Sequence, residues 1–243
     1  MPKLHVVFKK EDLDPDAIHN KVVIVLDILF ATSTIVHVFG QGVASVWPAR
    51  DADDAQAIVK KLALPTQPTL AGEYLAREIP GFGPPTPLAL AKKIGNGATL
   101  VYTTTNGTVA LNNAANGAHV FVGALLNGAA LVNYICSTYP DKSVLLVCSG
   151  SVNRFNLEDF FGAGHFAAHF DKKGHYQLTD SAKAALLMYR GSDAVAALGA
   201  SLVGKKMIAH HLEAEVNCAA QIDVSDVVPE FNQGCIRLVG GLV

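Results

Sequence analysis

The sequence contains few charged residues, few aromatic residues and no long hydrophobic run. Only 16% of its 243 residues are charged and 50% are hydrophobic, a balance that excludes an intrinsically disordered chain. The formal net charge is −2, so electrostatics gives no reason to expect nucleic acid or an anionic membrane as a partner. The longest apolar run falls well short of a membrane span.

Several familiar signatures are also missing. The four cysteines, at positions 136, 148, 218 and 235, form no C-x-x-C pair and have no zinc spacing, which is typical of reduced core thiols. The first ten residues lack the apolar segment of a secretory signal, so we expect a cytoplasmic protein. The absence of G-x-x-x-x-G-K-[ST], G-x-G-x-x-G and G-x-S-x-G weighs against a P-loop NTPase, a dinucleotide enzyme and an α/β-hydrolase.

Strand-like and helix-like segments alternate along most of the chain. The run at 22–26 is unbroken and rich in β-branched residues, which is typical of a strand buried on both faces. The alternation predicts an α/β fold, with a mostly parallel sheet and helices on both faces. No linker or 20–50-residue repeat divides the chain. We therefore expect one domain over 1–243, with at most a smaller C-terminal subregion from about 179.

Cap-forming residues predict where several helices begin. Thr86 followed by proline reads as an N-cap, and Ser192 is expected to cap a short helix. Asn156 with Asp159 three residues later resembles a capping box.

Polar side chains stand where the predicted strands end or the next helices begin. The acids are Asp27, Glu73, Glu158, Asp159 and Asp180. The hydroxyl and amide groups belong to Thr32, Ser33 and Thr34, and to Thr104, Thr105, Asn106, Gly107 and Thr108. Ligands bind at the carboxyl ends of parallel strands, Mg²⁺ prefers oxygen ligands, and helix starts suit phosphate oxygens. The pattern indicates a metal ion and a phosphate bound at one edge of the sheet.

Each of these groups also has an explanation without a ligand. Asp27 could cap a turn, and residues 32–34 could be a plain N-cap cluster. Glu158, Asp159 and Asp180 would suit the positive ends of their own helix dipoles. For residues 103–108 a ligand-binding role is favoured over a purely structural turn, because an Asn-Gly turn does not need the four threonines found there.

Histidines offer a weaker metal signal. His165 and His169 are four residues apart and would share one helix face, as in zinc-binding helices. No glutamate lies between them and no third ligand stands out, so the sequence does not favour a metal site there. His210 and His211 are adjacent and are expected to be solvated.

Five segments resemble, in order and spacing, the 2-phosphosulfolactate phosphatase (ComB-like) family. They are VVIVLDILFATST, LAGE, YTTTNGTVAL, VCSGSVNRFNLEDFFGAG and TDSAKAAL, and the resemblance runs from about residue 22 to 229. It implies an α/β fold and a Mg²⁺-dependent phosphatase. The implied reaction converts (2R)-2-phospho-3-sulfolactate to sulfolactate and inorganic phosphate, a step associated with coenzyme M biosynthesis. The family motif positions coincide with the acids and threonine-rich segments named above.

The chain departs from the family pattern at two places. The first family motif usually carries arginine where this chain has Phe30, and the loop at 83–87 reads GPPTP instead of a G-N-S-P-like stretch. Arginine would bind phosphate or sulfonate with two hydrogen bonds, which phenylalanine cannot do. Arg77 and Arg154 are the candidates to replace the missing charge. A further family acid could correspond to Glu215.

Three functions are therefore expected in decreasing order. The first is a Mg²⁺-dependent phosphatase of 2-phosphosulfolactate. The second is a phosphatase of another small phosphomonoester, and the third is an inactive relative that binds small anions. The expected catalytic groups are Asp27, Glu158, Asp159 and Asp180, which together with Glu73 would also bind the metal, while the threonine-rich segments and Arg154 would bind substrate. Oligomeric state is open, although alanine-rich stretches such as 194–200 could pack in a homo-oligomer.

Overall fold

The computed structural model describes residues 1–64 and 66–240 and contains an eleven-stranded sheet packed against helices. The strands are β1 (Lys3–Val7), β2 (Val22–Leu26), β3 (Ser45–Ala49), β4 (Thr69–Tyr74), β5 (Arg77–Glu78), β6 (Thr99–Thr103), β7 (His119–Gly123), β8 (Val144–Cys148), β9 (Gln177–Leu178), β10 (Pro229–Asn232) and β11 (Cys235–Leu238). The helices are α1 (Ala31–Gly40), α2 (Ala52–Leu62), α3 (Pro87–Ala91), α4 (Gly107–Asn113), α5 (Gly128–Thr138), α6 (Leu157–Lys173), α7 (Asp180–Arg190), α8 (Ala194–Ala200), α9 (Leu202–Ala209) and α10 (Glu213–Ala219). Within the described ranges, no helix combines the length and apolarity needed to cross a bilayer.

The sheet consists of two parallel groups of strands joined by an antiparallel hairpin. Its strand order is β5-β4-β6-β3-β11-β10-β7-β2-β8-β1-β9. Strands β4, β6 and β3 are mutually parallel, as are β7, β2, β8, β1 and β9. The hairpin β10–β11 runs antiparallel to its neighbours β7 and β3. The predicted α/β fold with a mostly parallel sheet is confirmed, while the central place of this C-terminal hairpin is not apparent from the sequence.

Strand β2 is buried on both faces, as its apolar run predicts. Val22, Ile24 and Leu26 pack into one core cluster with side chains of α6, whereas Val23 and Val25 pack into a second cluster with side chains of α1. Full burial of each such side chain contributes about 1.5–3 kcal/mol, so β2 fixes both helices relative to the sheet. The four cysteines are free thiols, as expected, and three of them are buried.

Two predicted helix caps are replaced by acids. Asp193, not Ser192, caps α8, because its carboxylate accepts a hydrogen bond from a backbone amide in the first turn. Thr86 occupies the N-cap position of α3, but its hydroxyl donates to Glu215 at 2.9 Å. The Glu215 carboxylate also accepts two backbone amides at the start of α3. It therefore stabilises that helix end from a distant part of the chain.

Helices α9 and α10 have no counterpart in the sequence prediction. They contain eight and seven residues, so each offers only about two turns of periodicity to detect. Ser201 caps α9 by accepting a hydrogen bond from the Gly204 amide at 2.9 Å. His210 and His211 follow α9 and are exposed, as predicted. The division of the chain into one domain with a smaller subregion from about 179 stays a prediction.

Candidate active site

Residues that follow strands of both parallel groups converge in space, although the two groups run in opposite directions along the sheet. Asp27 follows β2 and Ser149 follows β8, and these two strands are paired in register up to their last residues. From the other group, Glu73 lies near the end of β4 and Thr104 follows β6. Gly107 at the start of α4 packs directly on Asp27, since a Cβ atom at Gly107 would lie 2.5 Å from the Asp27 carboxylate.

Three buried acids, Asp27, Glu158 and Asp159, form the centre of this region and are called the carboxylate cluster below. Their exposed fractions are 6%, 1% and 0%. Burial raises the pKa of Asp27 to about 8, and the charges of Asp159 and Glu73 add to this shift. Burial also raises the pKa of Asp159 to about 8, helped by the charge of Glu158, and that of Glu158 to about 7. Such groups retain protons near neutral pH unless a cation takes their place.

Asp159 is fixed by three hydrogen-bond donors. Its Oδ1 accepts from the Ile28 amide at 2.9 Å, and its Oδ2 accepts from the Ser149 hydroxyl at 3.0 Å and the Gly150 amide at 3.1 Å. The predicted capping box with Asn156 is therefore wrong. The Asp159 carboxylate faces the ends of β2 and β8 instead of its own helix start, and Asn156 makes no side-chain cap.

Glu158 differs from Asp159 because one of its oxygens is unpaired. Its Oε1 is buried and has no hydrogen-bond partner among the described residues. An unpaired buried carboxylate oxygen is expensive in free energy, so this atom is able to accept a cation or a hydrogen-bond donor. The Asp27 carboxylate packs against Gly107, and the nearby Ala31 amide moderates the rise in its pKa.

The threonine-rich segment around Asn106 is mostly engaged in building its own turn. The Thr104 amide donates to the Thr108 hydroxyl oxygen at 2.9 Å, and the Thr108 amide donates to the Thr104 hydroxyl oxygen at 3.1 Å. Thr105 binds Glu73, with its amide 2.7 Å from Oε1 and its hydroxyl 3.0 Å from Oε2. These three threonines position the loop and Glu73, so their predicted contact with phosphate is not supported.

The hydroxyl groups of Thr32, Ser33 and Thr34 point into the protein. Each donates to a backbone carbonyl at 2.9–3.0 Å, and all three residues are fully buried. Thr32 in particular closes the turn after β2, because its hydroxyl also accepts from the Asp27 amide. The structure does not support the prediction that these hydroxyls bind phosphate. They hold the turn that carries Asp27.

Two other predicted site residues lie outside the carboxylate cluster. Asp180 is fully exposed at the start of α7 and pairs with Lys183, 3.6 Å away and three residues on. Its predicted roles as catalytic group and metal ligand are not supported, because a ligand shared with the buried acids would have to face them. Arg154 is exposed on the loop that precedes α6.

Lys10 is a buried cation that the sequence analysis missed. It is only 6% exposed, and its Nζ donates to the Asn106 side-chain oxygen at 3.0 Å and to the Ser149 carbonyl at 3.3 Å. It also pairs with Glu11 at 2.9 Å. Lys10 follows β1, which is parallel to β8, so it reaches the same edge of the sheet. A lysine just beyond a predicted parallel strand is the signal that could have revealed it.

A cleft of about 580 Å³ opens beside Glu73. Thr103 and Thr104 line it at the end of β6, and the cations at its wall are Arg50 and Arg77. Its wall also carries the acids Asp51, Asp53 and Glu78, so the two guanidinium groups lie among carboxylates. The cleft is large enough for a small anionic molecule.

A second cluster lies further along α6 and consists of His165, His169 and Asp223, called the histidine cluster below. In the ranges 1–64 and 66–240, it is the only set of three His, Cys, Asp or Glu donor atoms that all lie within 4.8 Å of one another. The acids of the carboxylate cluster are spaced more widely than that. Asp223 is the third side chain beside the two histidines, and the sequence does not reveal it.

Buried carboxylates and a buried lysine at the strand ends of an α/β sheet are typical of an enzyme active site. The model of the 2-phosphosulpholactate phosphatase family matches residues 7–234. The chain belongs to this family, as its motifs predict, and the family is named for the hydrolysis of a phosphoric monoester.

Relatives named "Probable 2-phosphosulfolactate phosphatase" match nearly the whole chain. One from Deinococcus radiodurans is 34% identical over 239 residues, covering 95% of this chain and 98% of the relative. One from Clostridium novyi is 30% identical over 232 residues, covering 95% and 97%. One from Clostridium perfringens is 30% identical over 240 residues, covering 98% and 96%.

Proposed function

We propose that the chain is a Mg²⁺-dependent phosphatase that hydrolyses 2-phosphosulfolactate to sulfolactate and inorganic phosphate. Family membership supports the reaction class. The observation that carries the proposal is the carboxylate cluster, in which three buried acids share one sheet edge and Glu158 Oε1 is left unpaired. A folded protein tolerates such a concentration of buried acids when protons or a cation neutralise them.

The donor set fits Mg²⁺, which takes hard oxygen ligands. Asp27 and Glu158 would hold the ion, because Glu158 Oε1 has no partner among the described residues and the charge of Asp27 acts on Glu158 directly. Asp159 and Glu73 would orient the site, since their oxygens accept three protein donors each. When bound, Mg²⁺ supplies positive charge to the phosphoryl oxygens and so favours attack by water.

Lys10 and Asn106 are proposed to bind the phosphate. The Lys10 ammonium lies at the same sheet edge as the carboxylate cluster, buried against Asn106 and the Ser149 carbonyl. A desolvated ammonium group stabilises an oxyanion more strongly than an exposed one. Lys10 therefore supplies a positive charge that the family arginine would otherwise provide at position 30.

The remaining anionic groups of the substrate are proposed to lie in the cleft beside Glu73. Arg50 and Arg77 line its wall, and guanidinium groups suit the planar or tetrahedral oxygens of carboxylate and sulfonate. An Arg77→Met variant should raise KM for phosphosulfolactate and leave KM nearly unchanged for a phosphomonoester that lacks the sulfonate. Equal changes in KM for both substrates would show that Arg77 does not bind the sulfonate.

The experiment that tests the proposal is a phosphate-release assay with the purified full chain. Metal-stripped protein supplied with Mg²⁺ should release inorganic phosphate from (2R)-2-phospho-3-sulfolactate, and a chelator should stop the reaction. A panel of phosphorylated carboxylates serves as the comparison. No release from any of them, with phosphate still bound in a calorimetric titration, would favour an anion-binding protein without turnover.

A second candidate substrate class follows from Phe30. Its side chain is half-buried and packs against the hydrophobic core beside α6, so this position offers no positive charge to a sulfonate. A less highly charged phosphomonoester would need no such charge. If the chain prefers such a phosphomonoester because Phe30 replaces an arginine, Phe30→Arg should raise activity on phosphosulfolactate relative to activity on that phosphomonoester. An unchanged ratio would argue against it.

A further inference from the structure

The histidine cluster brings three metal-ligating side chains to one point. His165 and His169 lie on the same face of α6, with ring centroids 4.7 Å apart. Asp223 reaches both from the segment after α10, with its Oδ1 3.2 Å from His165 Nε2 and its Oδ2 3.0 Å from His169 Nε2. All three donor atoms fall within 4.8 Å of one another, and the two histidine–carboxylate distances are close to the roughly 3.3 Å that separates ligands of a tetrahedral ion with bonds of about 2.0 Å.

The carboxylate of this cluster is held in place by the backbone. The Ala129 amide donates to Asp223 Oδ1 at 2.7 Å, and the Asp223 amide donates to the Leu125 carbonyl at 2.9 Å. Asp223 has a φ of +54°, a conformation that costs a non-glycine residue free energy and persists only where its surroundings fix it. The acid is therefore prepositioned between the two imidazole rings.

The backbone of Gly128 packs directly on the donor atoms. A Cβ atom at Gly128 would lie 2.2 Å from His165 Nε2 and 3.2 Å from Asp223 Oδ1, so any larger residue would displace the His165 ring from its place beside Asp223. His169 is partly exposed, with 19% of its side chain accessible, which gives an ion a path from solvent. The cluster thus combines one buried ligand, His165, with two side chains that reach solvent.

The other ring nitrogen of His165 has the partner that a metal ligand needs. Its Nδ1 lies 3.1 Å from the Tyr189 hydroxyl. With the proton on Nδ1, this contact is a donated hydrogen bond that leaves Nε2 free to bind a metal, the usual support for a ligating imidazole.

We propose that His165, His169 and Asp223 bind one divalent ion of the zinc class, with solvent at the fourth position. Two imidazoles and one carboxylate suit Zn²⁺ and neighbouring late transition metals, whereas Mg²⁺ prefers oxygen ligands alone. The ion would tie α6 to the segment after α10, whose Asp223 is hydrogen-bonded to the first turn of α5. It is separate from the ion proposed for the carboxylate cluster and does not depend on phosphatase activity.

Cobalt is the probe that tests this site. Full-length, chelator-stripped protein is titrated with Co²⁺ in the presence of excess Mg²⁺, and visible absorption is recorded. One Co²⁺ per chain should bind with the absorption of a four- or five-coordinate ion, and Zn²⁺ should displace it. His169→Gln and Asp223→Asn should each weaken binding by about tenfold or more, whereas the exposed-histidine control His210→Gln should bind like the unmodified protein.

Two results would overturn the assignment. One is the absence of saturable Co²⁺ absorption in the unmodified protein. The other is absorption that survives His169→Gln but disappears in Asp27→Asn, which would place the ion in the carboxylate cluster. Should the histidine variants not fold, NMR of the unmodified protein decides: Zn²⁺ should shift the ring signals of His165 and His169 and leave those of His210 in place, and unchanged signals would refute the site.

Discussion

Helix α6 carries two clusters that the sequence reveals to very different degrees. The carboxylate cluster begins in its first turn, and its members follow predicted strands or start the next helix. The histidine cluster lies further along the same helix and takes its third ligand from Asp223, 54 residues beyond His169. Parallel strands bring their carboxyl ends together by rule, whereas no rule brings an irregular segment to a helix face. Topology therefore predicts the first cluster and only coordinates reveal the second.

The largest effect is expected from neutralising the carboxylate cluster. Asp27→Asn and Glu158→Gln each remove a group proposed to hold Mg²⁺, and metal charge stabilisation is worth several kcal/mol. Phosphate release should fall about a thousandfold or more. The matched control is Asp180→Asn, an exposed acid paired with Lys183, which should retain activity. If Asp180→Asn loses activity and Asp27→Asn retains it, the active site includes Asp180 and not the carboxylate cluster.

Removing the buried cation should have the next largest effect. Lys10→Met deletes one charge-assisted hydrogen bond to phosphate, so kcat/KM should fall about 10- to 100-fold. Lys9→Met, a change at the neighbouring and more exposed lysine, should have little effect. Thermal unfolding of both variants separates lost binding from lost folding. Equal activities of folded Lys10→Met and the unmodified protein would refute the role of Lys10.

Stability without metal should fall as pH rises from about 5 to 8. Unfolded carboxyl groups ionise near pH 4, whereas the folded pKa values are about 8 for Asp27 and about 7 for Glu158. Between these limits the folded state holds protons that the unfolded state has released. Raising the pH therefore favours unfolding, by up to about 1.4 kcal/mol per pH unit for each group that stays protonated.

Denaturant unfolding in the presence of a chelator, repeated across this pH range, measures the slope. Asp27→Asn should flatten it, because that side chain no longer titrates. Mg²⁺ should stabilise the protein more at the alkaline end, where it need not displace protons. Stability that rises steadily over the same interval would contradict the raised pKa values.

The smallest effect on phosphatase activity is expected from the histidine cluster. Glu158 and His169 are eleven residues apart on α6, which is about 16 Å along the helix axis, and well-separated sites behave independently. With Mg²⁺ present, His169→Gln should change phosphate release by less than about twofold. A large loss in a folded variant would show that the two clusters are coupled through α6.

Most helices and strands can be predicted from the sequence, because each is indicated by a pattern of neighbouring residues. The apolar run at 22–26 and the segments that alternate with it suffice for an α/β fold and for the strand-end acids. The roles of the hydroxyl groups could not be predicted, since Thr32 and Thr108 look identical whether they bind phosphate or a backbone carbonyl. Asp180 shows that a motif match does not fix the position of a side chain. It matches a family motif, yet only the structure shows that its side chain is exposed and faces Lys183.

Long-range contacts escape sequence reasoning for a related reason. Lys10 reaches the site because β1 pairs with β8, and Glu215 caps α3 from more than a hundred residues away. Both depend on strand order and helix docking, which local periodicity does not encode. A lysine just after a predicted strand can be recognised in the sequence as a candidate site residue. An acid that caps a helix from a distant part of the chain cannot be recognised in this way.

The most direct test of the account is calorimetric titration of Mg²⁺ into the metal-stripped protein, in buffers of differing ionisation enthalpy near neutral pH. Mg²⁺ should bind and release protons, because Asp27, Glu158 and Asp159 hold protons in its absence, and Asp27→Asn should abolish this binding. Mg²⁺ that fails to bind, or that binds Asp27→Asn as tightly as the unmodified protein, would contradict the central claim.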